Sequence, residues 1–186
     1  METLIRITPW IDPVVDQRGH DPRSTYVEQF WLGTLGPTAT WLVRRLVAGF
    51  DSHPTGYDLD LTVTAQALGL SYSKGPSSAF AKAFGRCIMF GLAHQRADGY
   101  AVRRLLPDLT RRHVARLPES VQRDHEQWQL AARCHSLDLL QRARSLALAM
   151  LDVGDDATAI ETQLVAVGIP PTTAAEALEL LRADAR

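Results

Sequence analysis

The side chains here that could do chemistry are cations and hydroxyls gathered in one stretch. Lys74, Lys82, Arg86, Arg103, Arg104, Arg111 and Arg112 fall between Ser71 and Arg116, with Ser77 and Ser78 among them. With Arg96 and Arg116 added, the stretch holds nine basic residues against Asp98 and Asp108, a balance of +7 in a chain of net charge −1. Ammonium and guanidinium groups beside serine hydroxyls suit phosphate oxygens, so the chemistry on offer is the holding of a polyanion. Lys74 and Lys82 are the chain's two lysines, and every other cation is arginine.

Groups that could make or break bonds are scattered by comparison. His20 and Asp21 lie in GHDPRS, a turn sequence shaped by Asp-Pro and Ser. His125, Cys134 and His135 lack a CxxC or HxxxH pair and a fourth ligand, which argues against zinc. GLSYSKG has glycines and a lysine without the spacing of a phosphate loop, and no GxSxG is present. The expectation is a protein that is not an enzyme, with no cofactor and no metal. Cys87 and Cys134 sit in separate expected helices and read as small core residues in a reducing, cytoplasmic setting. No run of eighteen apolar residues is present, and the METLIRITPWIDP start has neither a basic leader nor an apolar signal core.

The elements that must position the cations are legible from periodicity. LTVTAQALGL reads as a short helix from Leu61 to Gly69, capped by Asp60 or Thr62, and SYSKGP as an exposed turn. A helix over 77–90 follows, with a serine at its start. Phe80, Phe84, Cys87, Ile88 and Gly91 form its buried stripe, so that Ser78, Lys82, Gly85, Arg86 and Met89 face away. GLAHQRADGYAVRRL then reads as a β-hairpin over 92–105, turning at Asp98-Gly99. Upstream, Thr25 and Glu28 suggest a capping box for a largely apolar helix that Gly36-Pro37 ends. Ala39, Leu42, Val43, Leu46, Val47 and Phe50 give the next helix one core face, with Trp31 and Trp41 also read as core and Arg44 and Arg45 off the stripe. Asp58 to Leu61 could form a short strand. Residues 1–23 carry too many prolines for a long element and read as an extended arm, with a short strand at Leu4–Ile7 and Trp10, Ile11, Val14 and Val15 laid on the core.

Helix, turn, helix and hairpin in this order resemble a winged helix-turn-helix domain, loosely MarR-like in layout. The fold expected is mainly α: a winged helix-turn-helix domain over 24–117 with a small β-hairpin wing, followed by a C-terminal helical region over 118–186. LLPDLTRRHVARLPESVQRDHEQW resembles the segment that follows the wing in MarR-like regulators. The resemblance implies a transcriptional regulator that binds double-stranded DNA as a homodimer. Lys82 and Arg86 would approach the major groove, Ser77, Ser78 and Lys74 would flank them, and Arg103, Arg104, Arg111 and Arg112 would neutralise phosphates. The arginine-rich usage resembles the coding of a high-GC bacterial genome, such as an actinobacterial one. The alternative is a non-catalytic adaptor that uses the winged helix as a scaffold.

The region after Pro118 is expected to be helical to about Val153, either continuously or with a break near Cys134. Leu139, Ala143, Leu146, Met150 and Val153 form a seam that fits either a partner helix or its own domain. Asp155 or Asp156 caps a further helix, and Pro170-Pro171 starts the last one. Ile160, Leu164 and Val167 are set to face Ala174, Ala177, Leu178 and Leu181, a spacing that resembles ubiquitin-associated three-helix folds and small helix-turn-helix units alike. From Cys134 onward the balance is −4, which suits a protein partner better than phosphates.

Overall fold

The computed structural model describes residues 4–73 and 75–184. The chain is mainly helical with one small sheet, and it divides into two compact units, Met1–Gln122 and Arg123–Arg186.

The first unit opens with β1 (Leu4–Trp10) and α1 (Pro13–Arg18), the latter capped by Asp12, whose carboxylate accepts from the Val14 and Val15 amides. A helical run follows in which a π-helical stretch, Val27–Trp31, leads into α2 (Leu32–Leu35). Ser24 rather than Thr25 caps it, its Oγ accepting from the Val27 amide at 3.5 Å. Gly36 leaves the helix at φ +83°, a left-handed turn that only glycine enters cheaply, and Pro37 starts α3 (Pro37–Ser52). The expected core face of α3 is buried along its whole length, each large side chain contributing about 1.5–3 kcal/mol. Trp41 is not part of that face and is 57% exposed. β2 (Tyr57–Asp60) precedes α4 (Leu61–Ala67), where Asp60 accepts from the Thr62 and Val63 amides. A 3-10 turn, Gly75–Ser77, then leads to α5 (Ala79–Met89), and the hairpin of β3 (Ala93–Arg96) and β4 (Gly99–Arg103) completes the order.

The expected N-terminal arm is instead part of the fold. The sheet order is β2-β1-β4-β3, so β1 lies inside it, antiparallel to β2 and parallel to β4. Ile7 is fully buried there, while Ile11 and Val14, expected on the core, are exposed. Pro9 is accommodated within β1 opposite Val102, and Pro13 starts α1, so neither proline prevents order. The hairpin turn also sits one residue earlier than expected. Arg96 pairs with Gly99, so Ala97 and Asp98 form the loop, and neither has positive φ. Gly99 has a different reason to be glycine: at φ +155°, a Cβ on it would clash with the Arg6 carbonyl oxygen.

After the sheet, α6 (Arg111–Val114) is capped by Thr110, and α7 runs from Glu119 to Val153 without a break at Cys134. In the second unit, α8 (Ala157–Ala166) and α9 (Pro171–Asp184) close a core with the later part of α7. Ala143, Ala147, Ile160, Leu164, Ile169, Ala174, Ala177 and Leu178 are buried, with Leu139, Leu146, Met150 and Leu181 packed on them. The expected seam of α7 is therefore largely used within its own unit. Val153 and Val167, expected on these faces, are exposed, as is Cys134. No helix among the described residues is long and apolar enough to cross a membrane.

Candidate nucleic-acid interface

α5 is amphipathic as its spacing requires. Phe80, Ala83, Phe84 and Cys87 are buried, whereas Lys82, Gly85, Arg86, Ile88 and Met89 are at least partly exposed. Burial pushes the Cys87 thiol up to about 12, so it stays a protonated core group. Ile88, expected in the stripe, is 38% exposed, because the eight residues after Phe80 carry its position about 80° round a 3.6-period helix.

The residues expected to meet phosphate divide into two groups. Arg86 projects from α5, but its guanidinium is tied to the preceding helix: Nε and Nη2 donate to the Leu35 and Thr34 carbonyls at 2.7 Å each. It also lies over the Phe90 ring. These bonds satisfy carbonyls at the end of α2 that have no helical partner. Arg103 is more deeply committed. It donates to the Gly91 carbonyl at 2.8 Å, pairs with Asp12 at 2.6 Å and stacks 3.8 Å from the Trp10 ring centre. The Arg103 guanidinium is the main reason the Asp12 carboxyl is held below its ordinary value of 3.8. Arg104 is exposed, yet it donates to the Pro54 carbonyl and lies over Phe50. Ser78 is buried and caps α5, its Oγ accepting from the Ala81 amide at 3.1 Å. Four residues expected at the duplex thus make structural ties. Arg44, which the α3 spacing leaves off the core stripe, donates to the Pro22 carbonyl at 2.7 Å.

The second group is open. Lys82, Arg96, Arg111, Arg112 and Arg116 reach solvent, and among the described residues none has an ion pair or side-chain hydrogen bond. Ser77 is exposed in the turn before α5, and Lys74 lies outside the described residues. These groups do not form one cluster. The His113 ring stands 5.2 Å from Phe90, which places α6 near the C-terminal end of α5. Lys82 lies eight residues earlier, about 12 Å along the helix axis.

The stretch has a further property that is legible in the sequence but hidden by a charge count starting at Ser71. From Leu61 to Ala97 the sequence holds no Asp or Glu, although the chain has 21. α4, the turn, α5 and β3 therefore contain no carboxylate of their own, and the nearest in sequence are Asp60, which caps α4, and Asp98, two residues after Arg96 in the hairpin loop. Gly85 adds to this face: a Cβ there would meet nothing within 4 Å, so packing does not demand a glycine in mid-helix.

Outside this face, His20 Nε2 lies 2.8 Å from Asp108 and its ring stacks on Tyr26. The Tyr26 hydroxyl accepts from the Leu109 amide, and burial raises its pKa to about 12. With His20 and Leu106 exchanging backbone hydrogen bonds, these contacts fasten the chain after β4 to the first unit. No group of three or more His, Cys, Asp or Glu able to hold a metal occurs among the described residues. The chain matches no family model, no curated protein and no solved structure.

Proposed function

We propose that the first unit is a winged helix-turn-helix domain that binds double-stranded DNA, in a homodimeric transcriptional regulator with no catalytic role. α3, β2, α4, the turn, α5 and the β3–β4 hairpin follow the order of that fold, with β1 added between β2 and the wing. The observation that carries the reading is the carboxylate-free stretch from Leu61 to Ala97, which spans the elements that would approach a duplex. A helix and turn without acids meet phosphates with less local repulsion, although Asp98 stands exposed in the hairpin loop, and counterion release then supplies the affinity.

The contact set is narrower than the cation count. Lys82 on α5 and Arg96 on the hairpin are the open cations of the helix and the wing, with Ser77 beside the start of α5. Arg111 and Arg112 serve flanking phosphates. With no Asn or Gln on α5 and Arg86 tied to α2, base reading is sparse, and binding rests on backbone and groove shape.

The test is fluorescence anisotropy of the full chain on a random duplex across a salt series. The slope of log K against log salt should flatten by up to about 1.8 in a Lys82→Ala/Arg96→Ala variant, at about 0.9 for each phosphate that is no longer neutralised. An unchanged slope would remove these residues from the interface. A second reading, a protein-binding adaptor, is favoured by the exposure of Met89 and Ile88 on the same helix. It predicts that the full chain has no measurable affinity for duplex DNA even at low salt.

A further inference from the structure

From Leu130 to Asp138, α7 is exposed at every residue. A helix draws most of its stability from a packed face, and Cys134, His135, Ser136 and Asp138 are weak helix formers. Yet this span carries an apolar line: Leu130 and Leu137, each about three-fifths exposed, with Cys134 between them. Their steps of four and three place the leucines at d and the cysteine at a of a heptad. This line is distinct from the Leu139 to Met150 face, which the second unit's own core occupies.

We propose that a second copy of this chain covers the line, with the two α7 helices parallel and in register around Leu130, Cys134 and Leu137. Charge chooses the occupant and its direction. Arg133 falls at g and Asp138 at the following e, and in a parallel pair a g residue faces the e′ residue five positions on. Two Arg133–Asp138′ ion pairs then flank the seam, one on each side. In an antiparallel pair g faces g′ and e faces e′, and no such ion pair forms. Within one chain neither side chain has an ion pair among the described residues; Arg133 donates only to the Gln129 carbonyl at 3.3 Å. The proposal rests on the two-copy reading above and gives it a surface.

Cys134 supplies the readout, because the register brings it against its own copy at a separation a disulfide can span. Copper(II) phenanthroline takes one electron from each of the two thiols, two copper(II) ions becoming copper(I), as two protons leave and the S–S bond forms. The expected result is a covalent dimer of the reduced full chain after oxidation, absent in Cys134→Ser. Buried Cys87 should not contribute. Leu130→Glu/Leu137→Glu should slow cross-linking by at least about tenfold at unchanged helicity, since both positions face solvent in one copy. Asp138→Arg should weaken the dimer by about three- to tenfold in sedimentation velocity, and adding Arg133→Asp should restore it. A monomer throughout the micromolar range, or cross-linking that persists in the double glutamate variant, would overturn the proposal. A dimer whose Cys134 residues do not cross-link would overturn the parallel register. None of these measurements contains DNA, so their failure leaves duplex binding to be decided by the salt series.

Discussion

Arg103 joins three separate parts of the chain through one guanidinium: the Gly91 carbonyl after α5, the Asp12 carboxylate before α1, and the Trp10 ring at the end of β1. Its side chain is 13% exposed, so the position is nearly withdrawn from solvent. Replacing it with alanine removes the carbonyl bond and the stacking on the ring, a cost of about 1–3 kcal/mol. The urea midpoint should fall accordingly, while the salt slope of DNA binding should stay as it is; a flattened slope at unchanged stability would return Arg103 to the interface. Asp12 adds a pH signature. Its folded pKa is lowered, first by the Arg103 hydrogen bond, so its contribution is full above the ordinary 3.8 and is lost as pH falls through the lower folded value. Acid titration of the urea midpoint should therefore be shallower in Asp12→Asn than in the parent chain below about pH 4. These residues also mark a limit of legibility. The sequence shows that Arg103 is a cation beside a hairpin, but its partners are 12 and 91 residues away, and no local pattern encodes such a meeting.

At the scale of the elements, local signals carry well. Asp60 and Ser78 cap the helices their positions suggest, Gly36-Pro37 separates two helices, and the apolar stripe of α3 is buried as spaced. The insertion of β1 does not show, because a short strand beside prolines gives no hint of which edge it will join. Its pairing also decides where the hairpin turns, since Gly99 answers to the Arg6 backbone rather than to a type I′ loop. Gly85 makes a contrasting prediction. Nothing lies within 4 Å of where its Cβ would be, so Gly85→Ala should stabilise α5 by about 0.5–1 kcal/mol through propensity alone. If a duplex approaches α5 closely, the same variant, and Gly85→Leu more strongly, should weaken DNA binding. Thermal melting and anisotropy on one set of variants separate the effects, and a stabilised protein with full affinity would mean that the helix backbone is not closely approached.

At the scale of the whole molecule, charge is divided between the units. Arg123–Arg186 holds six arginines against ten acids, −4, which leaves +3 for the first unit in a chain of net −1. That asymmetry is visible in the sequence, although the boundary expected after residue 117 falls five residues early because α7 belongs partly to each unit. The second unit's core is largely alanine and leucine, and Arg144 pairs with Asp184 at 2.7 Å within it. Arg142 and Arg182 are cations there without a carboxylate partner among the described residues, outwardly as available as Lys82 and Arg96. The distinction between the two pairs is their surroundings: Glu161, Glu176, Glu179 and Asp152 belong to the unit carrying the first pair, whereas the elements carrying the second pair have no acid between Leu61 and Ala97. Phosphate binding depends on the summed local field, so equal numbers of cations removed from the two units should have unequal effects. Arg142→Ala/Arg182→Ala should leave the salt slope within about 0.3 of the parent, against a flattening of up to about 1.8 for Lys82→Ala/Arg96→Ala. Equal flattening by both pairs would mean that affinity tracks net charge alone, and the assignment of the duplex to the first unit would fall.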